Sequence, residues 1–330
     1  MKAFSIVLIF LSFALTAIGQ QDYTSYTNKA EAQNKLKHAL KEGKWIEYMD
    51  DSDMITTDTN APYYSLAIYK AGVPCGKMRE YYKDGKLYVE APYNINGILN
   101  GAVKKYYETG ILKEETPYTD DEKSGIEKEY YESGKLKRET PYTNGKANGI
   151  ERTYYESGIL KGEASFKNDK ENGVEKQYYG SGKVWYETNY SNDQRNGAEK
   201  EYYESGQLKT ETDYINGIEN GIQKNYFENG KLSYEINLTD GKENGVEKDY
   251  YKEGELKSET PWAGGKENGV EKVYYESGKL KSETTWIDGL NNGRKEFYED
   301  GKLKEMTTFD VGGKPEQQID YDENGNEIKQ

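Results

Sequence analysis

The sequence is short of the residues that chemistry at a unique site requires. Its 330 residues include one cysteine and one histidine. Cys75 can form no intramolecular disulfide, and the usual zinc ligands are too few to build a site. A lone thiol in an exported chain could pair between copies. Within Pro74-Cys75-Gly76, just ahead of an extended segment, it reads instead as a small buried filler. There are 7 Phe, 4 Trp and 5 Met, and hydrophobic residues make up only 34% of the chain, which excludes a thick apolar core. Past the first 19 residues no run is long and apolar enough to cross a bilayer. Basic residues are outnumbered, 45 to 59, and a net charge of −14 makes nucleic acid and anionic lipid poor partners.

What is abundant is tyrosine, at 33, and glycine, at 35. Low hydrophobicity with 32% charged residues would suggest disorder, but disordered chains are poor in aromatics. A polar, tyrosine-rich chain fits a thin sheet whose aromatics are each half-buried. The charges alternate in sign instead of forming blocks, which suits a solvated face.

Residues 1–19 read as a signal peptide. Lys2 supplies the positive end, Ala3 to Ile18 the apolar run, and Ala17-Ile18-Gly19 a small-residue cleavage site before Gln20. No cysteine follows to make a lipobox, and loss of Lys2 takes the net charge from −14 to −15. The expected location is therefore the periplasm, cell surface or exterior, with no membrane insertion after cleavage.

Internal repetition decides the fold. A Tyr-Tyr pair recurs, its second member falling at Tyr82, Tyr107, Tyr131, Tyr155, Tyr179, Tyr203, Phe227, Tyr251, Tyr275 and Tyr298. The spacings are 25, then 24 seven times, then 23. An opening glycine from Gly76 to Gly293 and a turn glycine from Gly85 to Gly301 keep the same period. The best-formed unit, Gly269 to Trp286, reads as strand, tight turn, strand. Glu276-Ser277-Gly278 suits a type I turn closed by a left-handed glycine. Segments such as Thr143-Asn144-Gly145-Lys146 reverse the chain into the next hairpin.

With that loop and simple alternation, one face should carry Val270, Lys272, Tyr274, Leu280, Ser282, Thr284 and Trp286. The other should carry Glu271, Val273, Tyr275, Lys279, Lys281, Glu283 and Thr285. The expected architecture is an all-β repeat over residues 73–313: an elongated single-layer antiparallel sheet of about ten 24-residue β-hairpins. At about 4.8 Å between strands it would extend on the order of 100 Å. Residues 314–330, with Ile319-Asp320-Tyr321 before Glu323-Asn324-Gly325, look like a degenerate capping repeat. Residues 20–72 look like an N-terminal cap. Asn28 with Glu31 resembles a capping box, Ala32, Leu36, Ala39 and Leu40 form an apolar stripe, and Gly43 ends a short helix. Lys44 to Met49, Met54 to Asp58 and Tyr63 to Lys70 read as strands.

The pattern carried by Gly245, Lys248, Tyr250, Tyr251, Gly254, Leu256, Lys257, Glu259, Trp262, Gly265, Lys266, Asn268 and Gly269 resembles the bacterial MORN repeat variant, a family often grouped with the YwqK-like antitoxins. The resemblance covers about residues 76–325 and implies antiparallel hairpins serving as scaffolds or partner surfaces.

Catalysis is not expected. His38 reads as a surface residue, and Glu115, Glu139, Glu163, Glu187, Glu211, Glu235, Glu259 and Glu283 recur at one repeat position across from lysines. Asp322 to Asn326 overlays the repeat's turn and is no calcium loop. No cofactor is expected. The candidate binding surface is two aromatic rows. One is Tyr107, Tyr131, Tyr155, Tyr179, Tyr203, Tyr251 and Tyr275, on the charged face. The other is Tyr118, Tyr142, Tyr190, Tyr214, Trp262 and Trp286, with Phe166, on the apolar face. The expected function is an exported scaffold for a protein partner. Glycan binding along the tyrosine rows and antitoxin-like neutralisation are the alternatives, and self-association would also cover an open apolar face.

Overall fold

A computed structural model describes residues 26–52 and 54–328, so residues 1–19 lie outside the described part. The chain divides into two compact units. Of the described residues, one unit holds those up to Gly110 together with Tyr118–Asp121, and the other holds Ile111–Pro117 and those from Glu122 on.

The first unit is built on Tyr63–Lys70, whose sequence Tyr-Tyr-Ser-Leu-Ala-Ile-Tyr-Lys is apolar on both faces of the strand. It pairs antiparallel with Leu40–Met49 on one side and Val73–Tyr82 on the other, and Leu87–Tyr93 and Gly101–Tyr106 follow. Leu66 and Tyr26 are fully buried, and Tyr64, Ile68, Cys75 and Tyr81 close the same cluster. Cys75 is a buried filler, and burial pushes its thiol pKa up. Complete burial of a side chain such as Leu66 stabilises by about 2 kcal/mol.

The expected cap helix is not there. Asn28 does cap a turn, its side chain accepting from the Ala30 N–H at 3.0 Å, but the turn is a single 3₁₀ segment, Lys29–Glu31. Glu31 pairs with Lys44 instead of closing a capping box. The chain then runs as strand Lys35–Lys37, turns through His38 and Ala39, and returns as Leu40–Met49. Both turn residues have positive φ, 52° and 65°, as a two-residue hairpin loop demands. The helix loses to pairing with the neighbouring strand: of its apolar stripe, Ala32 packs on the core while Leu36 and Leu40 stay exposed. Asn34 instead accepts from the Ile46 N–H at 2.9 Å and Gln33 donates to the Lys44 carbonyl at 2.8 Å. Gly43 lies within a strand, and His38 is exposed in the hairpin turn. The strands expected at residues 44–49, 54–58 and 63–70 appear as Leu40–Met49, Ile55–Thr56 and Tyr63–Lys70.

The second unit repeats one hairpin, as in Gly269–Tyr274 with Leu280–Ile287. The loop is the one expected: Tyr275 N–H donates to the Lys279 carbonyl and Gly278 N–H to the Tyr275 carbonyl, both at 2.8 Å. Gly278 has φ +78°, which an L side chain rarely adopts. Between hairpins, Thr143 pairs with Lys146 across Asn144 and Gly145, both at positive φ. The final segment repeats the plan: Pro315–Tyr321 pairs with Glu327–Ile328, and the Asp322 carboxylate accepts from the backbone of Asn324 and Asn326 within that turn.

One feature inverts the expected faces. Tyr274 stands opposite Leu280, but Val273 stands opposite Ser282, so Lys281 is an extra residue in a β-bulge. The same interruption falls before Tyr130, Tyr154, Tyr178, Tyr202, Tyr226 and Tyr250. The extra residue is an exposed lysine at Lys137, Lys161, Lys209, Lys257 and Lys281. Beyond the bulge every side chain of the second strand changes sides. Glu283 and Thr285 join Val270 and Lys272, whereas Ser282, Thr284 and Trp286 join Glu271 and Val273.

Candidate interaction surface

The corrected register sorts the second unit into two unlike faces. On the first, lysine or arginine and glutamate alternate from strand to strand. The paired order runs Lys128, Glu139, Arg152, Glu163, Lys176, Glu187, Lys200, Glu211, and continues through Lys224, Glu235, Lys248, Glu259, Lys272 and Glu283 to Lys295. Arg152 meets Glu163 at 2.9 Å and Lys200 meets Glu211 at 3.2 Å. The first tyrosine of each pair adds a hydroxyl to this row, Tyr178 donating to Glu163 at 3.0 Å and Tyr154 to Glu139 at 3.2 Å. The glutamates at this position therefore do what their spacing suggested, which is to neutralise the lysines across the ladder. Branched apolar residues flank the row at Ile126, Ile150, Val174, Ile222, Val246 and Val270, each more than a third exposed.

The second face carries a column of small, buried residues: Thr140, Thr188, Thr212, Ile236, Thr260 and Thr284. Across from it runs a glutamate column, Glu127, Glu151, Glu175, Glu199, Glu247 and Glu271. Glu127 is 4% exposed and accepts from Thr116 at 2.9 Å and Lys123 at 2.5 Å. Glu151 accepts from Thr140 at 2.8 Å and Glu199 from Tyr186 at 2.7 Å. The sequence reading passed over this column, although its signal was present: the residue before the repeated lysine is almost always glutamate.

The second aromatic row lies here and not on the apolar face. Trp286 pairs with Gly269, and its indole N–H donates to Glu271 at 2.9 Å. Tyr142, Tyr190, Tyr214 and Trp262 occupy the same register position in their hairpins. Lys123 lies 4.6 Å from the Tyr142 ring centroid and the Arg195 guanidinium 5.3 Å from that of Tyr214. Burial, then Glu199 and Glu219, push the Tyr214 pKa up to about 12. Tyr118, at the end of its strand, belongs to the first unit and is half-buried.

The other aromatic row binds the repeats to one another. The hydroxyls of Tyr131, Tyr155, Tyr179, Tyr203, Tyr251 and Tyr275 each donate to a backbone carbonyl of the next hairpin, at 2.7–2.8 Å. Tyr82 does the same in the first unit, to Tyr106 at 3.3 Å. The backbone carbonyl of Tyr107 accepts from the Gly110 N–H at 2.8 Å, the bond that closes the turn at the other tyrosines of the row as well.

Toward the C-terminal repeats the second face becomes acidic. Glu243, Glu247, Glu267 and Glu271 follow one another beside Trp262 and Trp286. Burial, with Asp249, Glu243 and Glu267 nearby, holds the Glu247 carboxyl above its ordinary pKa, and burial with Glu271 does the same to Glu267. Like charges collected at a half-buried surface raise carboxylate pKa values in this way.

No curated protein matches the sequence. Among solved structures, a crystal structure of TcdB2-TccC3 aligns at 13% identity over 83% of this chain and 16% of that one, with a TM-score of 0.18. The Photorhabdus luminescens Tc holotoxin pore carrying TccC3-D651A aligns at 16% identity over 78% of this chain and 14% of that one, with the same TM-score of 0.18. The chain thus spans about a sixth of the structures it matches. The profile of the MORN repeat variant matches ten times, at residues 74–94, 99–120, 123–144, 147–168, 171–192, 195–216, 219–240, 243–263, 267–288 and 294–310. Those segments cover most of the chain and coincide with its hairpins, so the chain belongs to the MORN repeat variant family.

Proposed function

We propose that the chain is a non-catalytic repeat scaffold of the cell envelope that holds a protein partner with a basic surface on its glutamate and aromatic face. The observation that carries this reading is the contrast between the faces. Charges cancel strand by strand on one, while carboxylates gather beside tryptophans on the other, with Glu247 and Glu267 held above their ordinary pKa. A cationic partner relieves that repulsion, and the indoles supply rigid apolar area. Repetition at a period of 24 residues offers the same contact many times over and so favours a long partner over a single reacting centre. Export rests on Lys2 and the apolar run Ala3 to Ile18.

The test is capture from envelope extract by the wild-type chain and by a variant carrying Gln at Glu243, Glu247, Glu267 and Glu271. One stoichiometric basic partner, lost from the variant and weakened about tenfold between low and physiological salt, is the expected result. Equal capture by both chains would remove the acidic face from the reading. Mature protein beginning near Gln20 outside the cytoplasm is expected on export, and full-length chain confined to the cytoplasm would exclude it.

A further inference from the structure

The repeats are regular enough that a local departure stands out, and two departures coincide on the charge-balanced face. Through the second unit every lysine or arginine of the ladder is flanked by two glutamates, as Lys272 is by Glu259 and Glu283. The alternation stops at Lys295, which pairs with Glu283 on one side and Met306 on the other. The second departure is one row away. Val270 stands opposite Thr285, Thr285 opposite Gly293, and Gly293 opposite Thr308. The repeat shortens from 24 to 23 residues here, so Gly293 is not an opening glycine. It takes the place that Val246 and Val270 hold in their own hairpins. Its φ is outside the left-handed region, and a Cβ there would meet no atom within 4 Å.

The missing branched side chain leaves a cavity of about 500 Å³, with Val270 and Met306 among its walls and Lys272, Lys295 and the two threonines at its rim. Its lining holds three cations, Lys272, Arg294 and Lys295, against the carboxylate of Glu283. Arg294 is paired with Glu296 and Lys272 has Glu259 on its far side, so the charge that lacks a second carboxylate is that of Lys295. A smaller cavity on the same face, about 300 Å³ beside Ile126, Pro141 and Ile150, has Glu139 and Arg152 to cancel each other and lacks that excess.

We infer that the pocket at Gly293 binds a carboxylate carrying a short apolar stem, either a free short-chain acid or the C-terminal residue of a peptide. The geometry supplies both parts of such a ligand. Lys272 and Lys295 offer charged donors, Thr285 and Thr308 offer hydroxyls, and Val270 and Met306, three strands apart, offer an apolar contact at either end. Lys295 and Thr308 are exposed, so the site is open and binding is weak and salt-sensitive. Phosphate or sulfate would meet the ammonium groups but leave the apolar wall unused. This site lies on the face opposite to the proposed partner surface and does not depend on that reading.

The experiment follows the methyl resonance of Met306 in the whole chain during titration with sodium butyrate, with butyramide as the uncharged control. Saturable shifts with butyrate and none with butyramide are expected. Gly293→Val restores the side chain that other hairpins carry and should weaken butyrate at least tenfold while leaving the circular dichroism unchanged. Lys295→Gln, at an exposed position, should weaken it by a similar factor. A tripeptide ending in valine, compared as free acid and C-terminal amide, distinguishes the two sources: a free acid tighter than butyrate indicates a peptide end, and equal binding indicates a small acid. Equal shifts with butyramide, or butyrate binding unchanged in Gly293→Val, would overturn the assignment.

Discussion

The hydroxyl of Tyr131 donates to the carbonyl oxygen of Tyr154 at 2.7 Å, joining one hairpin to the next by a side chain where the strand ladder has just ended. The last strand pair between these hairpins is Arg138 with Thr153, one residue short of that carbonyl. The bond recurs 23 residues apart at Tyr155 with Tyr178, Tyr179 with Tyr202 and Tyr251 with Tyr274. It gives a physical reason for a Tyr-Tyr pair: the first ring serves the charged face and the second staples the hairpin end. In a repeat protein whose stability is a sum of neighbour terms, such staples set the cooperativity of the array.

Among the described residues of the second unit the row has one gap. Phe227 occupies the stapling position and lacks the hydroxyl that would reach the Tyr250 carbonyl. Phe227→Tyr should stabilise the second unit by about 1 kcal/mol, the net value of one added hydrogen bond. Tyr155→Phe should lose a similar amount, and urea midpoints at constant slope would measure both. A destabilised Phe227→Tyr protein would show that the staple is not an independent unit.

Thr188 is fully buried, and its hydroxyl has no hydrogen-bond partner among the described residues, whereas Thr140, at the same repeat position, donates to Glu151. Ile236 shows that the column accepts an apolar side chain, being 1% exposed. Thr188→Val keeps the shape and removes the buried hydroxyl, and should stabilise by about 1 kcal/mol. Thr140→Val, which leaves Glu151 without its donor, should go the other way. A thermal-unfolding comparison of the two variants gives the sign of each.

The carboxyl of Glu247 is held above its ordinary value of 4.5, first by burial and then by its acidic neighbours. A carboxyl with a raised folded pKa binds its proton more readily in the folded chain, so its ionisation destabilises the fold. That penalty is complete above the raised pKa and absent below 4.5. Glu247→Gln resembles the protonated form and should stabilise the second unit at pH 7, with the gain vanishing as pH falls to 4. Tyr234, 3.4 Å away, keeps an oxygen to donate to. Stability measured across that range would sink the idea if the gain stayed constant.

The period, the three-residue loop and the cross-ladder role of Glu139 or Glu283 were legible because each depends on spacing or on one residue type at one place. The faces were not. A single bulged lysine, such as Lys281, has no distinguishing chemistry, yet it moves Trp286 from beside Val270 to beside Glu271. The helix expected after Asn28 failed for a different reason. Ala32, Leu36, Ala39 and Leu40 have helical spacing, but tertiary pairing to Lys44 and Ile46 outweighs a weak local preference. The pocket at Gly293 became visible only with the register, since the same letter opens most other repeats and fills a different position there.

That distinction between glycines is itself testable. Gly149 has φ +125°, and a Cβ on it would lie 2.8 Å from Cγ of Pro141, so glycine is required twice over. Gly149→Ala must strain the backbone and displace the ring, and should destabilise by about 2 kcal/mol. Gly293 carries neither constraint. Gly293→Ala reduces the freedom of the unfolded chain without a clash and should stabilise by about 0.5 kcal/mol. Denaturant unfolding of the two single variants checks the pair. Equal destabilisation would mean that Gly293 shares the opening-glycine conformation, which would also fill the reasoning behind Gly293→Val with strain and remove the basis for treating that position as an open one.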